Sequence, residues 1–296
     1  MKFGFILPHN WGLADPDDVI DLAVRAEDLG FDSVWVNHHV LNVGYIRDRL
    51  DDGPYYDSLT VLTWAAAVTR RVRLGTTVLV LPYLNPIVLA KSLATLDVMS
   101  RGRVTVGVGV GGLQQESDAL GSDYRARGRY TNESIEIMRE LWSSAEPSYQ
   151  GEFYSFDGAR ISPRPLQRPG PPILVGGGSR AALRRAATLG DGWHPTGILP
   201  GDLAGPVQAI HRLARESGRD PSRLIVSVRN ELDVTDGSSS SVASAMSGSP
   251  DQLLEAIDAY EAQGVSELVL AISTADVERI RRVQELFAER VMRRRQ

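Results

Sequence analysis

The sequence predicts an α/β protein, and within that class a closed (β/α)8 TIM barrel with insertions in its loops, taken as a single domain over residues 1–296. Three observations carry this prediction. Eight short runs rich in β-branched residues alternate with amphipathic stretches of helical period, which is the pattern of parallel β/α architecture. Most of these runs are nearly continuously apolar, as strands buried on both faces should be. Helix starts are marked by a capping side chain followed by proline at Asp15-Pro16, Asn85-Pro86 and Ser249-Pro250. An open doubly wound sheet competes with the barrel, but it usually needs fewer strands and a reversal of direction.

Taken in order, the first strand is expected over Lys2 to Leu7. The helix after it repeats Val19, Leu22, Ala23, Ala26 and Leu29 at helical spacing and stops at Gly30, giving one apolar face for the sheet. Strands two to four are expected at Ser33 to Val36, Arg73 to Leu79 and Val104 to Val110. Ile173 to Val175, Gly192 to His194, Leu224 to Leu232 and Leu268 to Ile272 complete the eight. The connections Asn37 to Asp57 and Gly111 to Gly128 are too long for turns and follow strands, so they belong at the C-terminal face where barrels place their chemistry. Ala145 to Pro171 follows a helix, and its run Glu152 to Phe156 reads as part of an extra hairpin. Asp236 to Ser249, rich in serine and glycine, reads either as a lid after the seventh strand or as a plain connector.

Composition narrows the function classes. The net charge of -5 leaves no positive field for a nucleic acid backbone, so no nucleic acid partner is expected. There is no cysteine, and the five histidines show no His-x-x-x-His spacing, so neither thiolate chemistry nor a built-in zinc site is expected. No apolar run reaches membrane-spanning length and the N-terminus does not read as a signal peptide, which sets a soluble, cytoplasmic protein as the expectation. Only Lys2 and Lys91 are lysines, one beginning a strand and one on a helix, so a Schiff-base aldolase is disfavoured.

Four groups of residues can carry chemistry. Gly107 to Gly112 ends the fourth strand with a glycine density that suits either a ligand lying close to bare backbone or a strand packed against a bulky neighbour. Gly176, Gly177, Gly178 and Ser179 lie before a helix starting near Arg180, where free amides and the helix dipole can cradle a phosphate. Arg184 and Arg185 can add charge there or form a solvated face. His38 and His39 follow the second strand at the rim, where an imidazole can bind a polar cofactor edge or move a proton. Glu116, Asp118 and Asp123 sit on the loop after the fourth strand and become acid or base candidates only if desolvated. Trp193 borders the rim, and His9 and Trp11 follow the first strand, so all three are candidates for the pocket wall.

Four blocks in fixed order add a resemblance. Leu29 to Val36, Leu74 to Leu79 with Asn85-Pro86, Gly107 to Gly111, and Val175 to Ser179 continuing to Gly190 to Trp193 resemble the luciferase-like monooxygenase superfamily, specifically its branch using the deazaflavin coenzyme F420. The resemblance implies a homodimer that holds the deazaflavin ring at the strand C-termini against a cis peptide at Thr77-Val78. It makes His39 the rim histidine. His38 stands where the family has an aspartate. Val110 and Gly111 map to the glycine-rich strand, Gln115 to a residue touching the ring or its ribityl chain, and Glu116 to a glutamate common in this branch. Gly177, Gly178, Arg180 and Ala181 map to the segment that wraps the cofactor phosphate. Gly112 replaces a tryptophan or a catalytic glutamate, so sugar-phosphate oxidation is not expected. The implied reaction is hydride transfer between F420 and a small, largely apolar substrate, with His39 and Glu116 as catalytic residues. An FMN-dependent monooxygenase fed by a separate reductase and a cofactor-binding protein without turnover are the rivals. Arg125, Arg127 and Arg129 can meet the acidic tail of the coenzyme or serve the surface.

Overall fold

The structure, a computed structural model, describes residues 1–235 and 246–295. In chain order the strands are β1 (Lys2–Ile6), β2 (Ser33–Val36), β3 (Arg73–Thr76), β4 (Leu79–Val80), β5 (Val104–Gly109), β6 (Tyr149–Gln150), β7 (Ser155–Phe156), β8 (Ile173–Gly176), β9 (Gly192–His194), β10 (Ile225–Val234), β11 (Met246–Gly248) and β12 (Glu267–Ala271). The order β1-β2-β3-β5-β8-β9-β10-β12 closes on itself through parallel pairing of β12 with β1, which is the eight-stranded barrel. The helices are α1 (Pro16–Leu29), α2 (Tyr45–Leu50), α3 (Ser58–Val68), α4 (Pro86–Met99), α5 (Gln114–Ala119), α6 (Arg127–Ser143), α7 (Arg180–Thr188), α8 (Ala204–Glu216), α9 (Pro250–Ala262) and α10 (Val277–Arg290).

Local sequence accounts for the element ends. Asp15 caps α1 by accepting from the Asp17 amide, and Gly30 closes it in the left-handed region at φ 91°. Asn85 caps α4 in the same way, and Ser249 with Gln252 forms a complete capping box on α9. The barrel interior is filled by Ile6, Trp35, Leu174, Val269 and Ala271. Trp35 fits because Gly4 and Gly75 stand beside it: a Cβ on Gly75 would lie 2.2 Å from the indole ring.

Two boundaries differ from the sequence expectation for a physical reason. The third strand stops at Thr76, the Thr77-Val78 peptide is cis, and the chain resumes as β4, which pairs with β5 because Gly107 and Gly109 leave room for Thr76 and Val78. Of the segment Asp236 to Ser249, residues 236–245 lie outside the described residues. Its end, Met246–Gly248, is a parallel strand on β10 rather than part of a lid. The long connections Asn37 to Asp57 and Gly111 to Gly128 contain α2 and α5, and the third holds the β6-β7 hairpin. Among the described residues, no helix is long and apolar enough to cross a membrane.

Candidate active site

A cavity of about 560 Å³ opens at the C-terminal ends of the strands. One side of it is backbone. Thr77, Val78, Gly109, Val110, Gly111, Gly176 and Gly177, from the ends of β3, β5 and β8, line this side. The glycines of β5 serve the fold before they serve any ligand, because a Cβ on Gly107 would lie 1.9 Å from the Thr76 carbonyl oxygen and one on Gly109 2.5 Å from Val78. Close packing against a neighbour, one of the two readings of this glycine run, therefore holds for Gly107 and Gly109. Gly112 and Gly178 have open space where a side chain would stand, and Gly177 sits at φ 91°.

Beneath Thr77 lies His194, which bridges the Thr77 hydroxyl at 2.9 Å and the Ser227 hydroxyl at 3.0 Å while stacking on Trp35 at 5.1 Å. Burial, helped by the Arg229 charge, pushes its pKa down to about 3, so it is neutral at physiological pH. This histidine lines the cavity, whereas Trp193 does not: Trp193 is buried, and its indole N–H donates to the Gly177 carbonyl at 2.7 Å. His9 is likewise buried, bound to the Leu7 and Asn37 carbonyls, and Asn10 takes its place in the wall.

The two rim histidines divide into different roles. His38 Nδ1 accepts the Val80 amide at 3.2 Å, which leaves the proton of the neutral ring on Nε2. Burial and the neighbouring His39 depress its pKa to about 4. His38 is thus a neutral donor where an aspartate would be an acceptor. His39 Nδ1 donates to Glu116 Oε2 at 2.7 Å, and its Nε2 accepts from the Tyr45 hydroxyl at 3.0 Å. Glu116 is fully buried and does not line the cavity; it acts through His39. Burial raises its pKa, but hydrogen bonds from His39 and from the Val40 and Leu41 amides outweigh that, and the carboxyl stays below its usual range.

The remaining predicted residues separate in space. Gln115 is exposed on α5 and is not brought to the cavity. Ser179 caps α7 through the Ala182 amide, while the first-turn amides of Arg180 and Ala181 have no intrahelical partner. Arg180 and Ala181 line a second groove, of about 620 Å³, with Arg184 and Arg212. Gly178 and Ser179 are the link between the two hollows. Arg185 is not a solvated helix face: it is buried and ties α7 to α6 through Asn132 and the Gly128 carbonyl. Arg129 pairs with Glu152 on the surface, and Arg127 stacks on Tyr124. Tyr45, Arg49, Tyr55, Thr196 and Arg229 also line the cavity. None of them belongs to a local motif, and only their arrival at the strand ends marks them. Among the described residues, no cluster of side chains could hold a metal ion.

The buried neutral histidines set an acid limit on stability. Unfolded histidine titrates near 6.5, so below that pH the unfolded chain binds protons that native His38 and His194 refuse. Stability is therefore complete above about pH 6.5 and is lost as pH falls toward the folded values. The two rings together remove roughly 2.7 kcal/mol per pH unit between about pH 6 and 4.5. Urea unfolding across that range should show a slope of this order, to which buried His9 adds, and His194→Gln should lower it by about 1.4 kcal/mol per pH unit. A flat profile would contradict the neutral assignments.

With the barrel and its rim in place, comparison with known proteins identifies the class. A family model described as luciferase-like monooxygenase matches residues 1–243. The chain belongs to this luciferase-like family. It is 37% identical over 185 residues to an F420-dependent glucose-6-phosphate dehydrogenase of Amycolatopsis mediterranei, covering 60% of this chain and 53% of that protein. The chain thus spans about half the length of the curated relatives it matches. The crystal structure of the monooxygenase RslO1 from Streptomyces bottropensis superposes with a TM-score of 0.87 at 26% identity, covering all of both chains. An F420-dependent secondary alcohol dehydrogenase, solved with an F420-acetone adduct, superposes with a TM-score of 0.83 at 23% identity over 98% of both chains, a likeness of fold.

Proposed function

We propose that this protein is an F420-dependent oxidoreductase that moves a hydride between the deazaflavin and a small organic molecule, acting as one barrel unit in the cytoplasm. The observation that carries the reading is the combination of the bare strand ends of β3, β5 and β8 with an imidazole backed by a buried carboxylate at the edge of the same cavity. The residues fit the coenzyme. A flat ring finds backbone and Val78 on one side, Gly112 leaves space, and the run Gly176 to Arg180 offers amides for a phosphate. The groove of Arg180, Arg184 and Arg212 suits an acidic tail better than Arg127 and Arg129, which are engaged elsewhere. When bound, the deazaflavin supplies the carbon that gives or takes the hydride.

The protein's own part is orientation and proton handling. Glu116 fixes the proton of His39 on Nδ1, so Nε2 is a base that can take a proton from a substrate hydroxyl or return it. The buried carboxylate stabilises the imidazolium formed in that step. Tyr45, already on Nε2, is the group a substrate hydroxyl would displace. Open space at Gly112 leaves no carboxyl there, which disfavours sugar-phosphate oxidation in the manner of the dehydrogenase relatives. An FMN-dependent monooxygenase is the second reading, supported by the full-length likeness to RslO1.

A homodimer is part of the proposal. Helices α3 and α4 pack together and still expose Trp64, Val68, Val88 and Met99, which is the apolar surface an obligate partner covers. One experiment tests cofactor and assembly together: analytical ultracentrifugation with absorbance detection after loading with F420 or FMN. The expected result is a dimer mass carrying one F420 per chain, with affinity for F420 at least about tenfold above that for FMN. Preferential loading with FMN would favour the monooxygenase reading, and a monomer would remove the homodimer.

A further inference from the structure

Among the described residues, the cavity wall carries two arginines and no carboxylate. Arg229 rises from β10 and Arg49 from α2, and both line the cavity, whereas no aspartate or glutamate does. Around the barrel, β10 lies opposite β3, whose end carries Thr77 and Val78, and β1 lies opposite β8. A planar group resting on Thr77 and Val78 therefore looks toward Arg229, with Arg49 in the same cavity wall. Among the described residues, the Arg229 guanidinium has no hydrogen-bond partner at Nε, which is buried, and its nearest carboxylate oxygen, on Glu231, stands 3.9 Å from Nη2. Two other polar atoms in the same wall are orphaned as well, the Asn10 side-chain oxygen and the Tyr55 hydroxyl. A guanidinium cannot shed its charge to escape burial, so one with a partnerless Nε and only a distant carboxylate is a standing cost unless a ligand brings a closer counter-charge. Arg49 differs: it is committed to the Asn10 carbonyl and the Trp11 ring, which fixes it at the rim as a second positive charge.

From this geometry we propose that the substrate carries an oxyanion, a carboxylate or a phosphate monoester, and that Arg229 is its specificity residue with Arg49 as the outer charge. The planar fork of a guanidinium matches such a group with two parallel hydrogen bonds. Tyr55 and Asn10 would complete the site, one donating to the anion and the other accepting from a neighbouring hydroxyl. The inference rests on the hydride-transfer reading only in placing the anion opposite the cofactor. It replaces the sequence expectation of a largely apolar substrate with an acidic one.

Isothermal titration with matched probes tests it: lactate against lactamide, and glycerol 3-phosphate against glycerol, each with and without bound F420. The expected result is that one anion of a pair binds at least tenfold more tightly than its neutral partner with F420 in place, and which pair discriminates tells carboxylate from phosphate. Arg229→Gln should bring the ratio to within twofold, and Arg229→Lys should recover part of it. Arg229→Gln should melt at an unchanged or higher temperature, because it removes a buried charge that no close carboxylate offsets; a purely structural arginine would lower it. Equal binding of anion and neutral partner in the F420-loaded protein, or an anion preference that F420 abolishes, overturns the proposal. Failure to bind F420 with the anion preference intact would instead overturn the cofactor assignment alone.

Discussion

Replacing His39 with asparagine is expected to lower kcat by about two to four orders of magnitude while leaving the dissociation constant for F420 nearly unchanged. Asparagine is the informative choice because its amide can still donate to Glu116, so the buried carboxylate keeps a partner and the loop keeps its shape. What it cannot do is accept a proton at the position of Nε2 and hold it. The loss should therefore appear in kcat. Glu116→Gln separates positioning from catalysis: the imidazole remains, but its imidazolium form loses the counter-charge, so kcat should fall by less than in His39→Asn. Steady-state rates across pH with an alcohol such as isopropanol or lactate and F420 check both variants. A His39→Asn enzyme within tenfold of wild type would remove His39 from the proton path.

Gly107→Ala is the second large effect expected, this time on the fold. The added methyl would meet the Thr76 carbonyl oxygen at 1.9 Å, and a backbone oxygen in a barrel ladder cannot swing aside as a side chain can. Overpacking of this kind costs on the order of 3 kcal/mol or more, to be read by denaturant unfolding, with F420 binding lost along with the displaced Thr77 and Val78. Gly112→Ala is the matched control, because nothing lies within 4 Å of its methyl and the residue is exposed. It should change stability by less than about 0.5 kcal/mol. Equal behaviour of the two variants would mean that the tight contact between β3 and β5 does not govern the site.

The candidate site was legible in the sequence where local chemistry leaves a mark. Glycine runs at Gly107 to Gly112 and Gly176 to Gly178, and the histidine pair after β2, mark themselves by residue type and by their place at strand ends. Within the run Gly107 to Gly112, Gly107, Gly109 and Gly111 make room for Thr76, Val78 and Val80, and Gly112 alone has open space where a side chain would stand. Gln115 shows how little a position in sequence says about direction. One residue from the buried Glu116 on the same helix, it faces solvent because α5 turns only one side inward.

By itself, the amino-acid sequence determined the class of fold, the positions of the strands, the caps that begin the helices, and the loop after β2 as the place for chemistry. Those are short-range properties, set by the period of apolar residues and by backbone preferences within a few positions. Only tertiary structure decided that Glu116 reaches His39 across 77 positions of chain, that His194 supports Thr77 from 117 positions away, and that Arg229 stands in the cavity wall with a buried, partnerless Nε. Such contacts depend on which strands become neighbours when the barrel closes. No local pattern along a single strand records what will face it across the mouth.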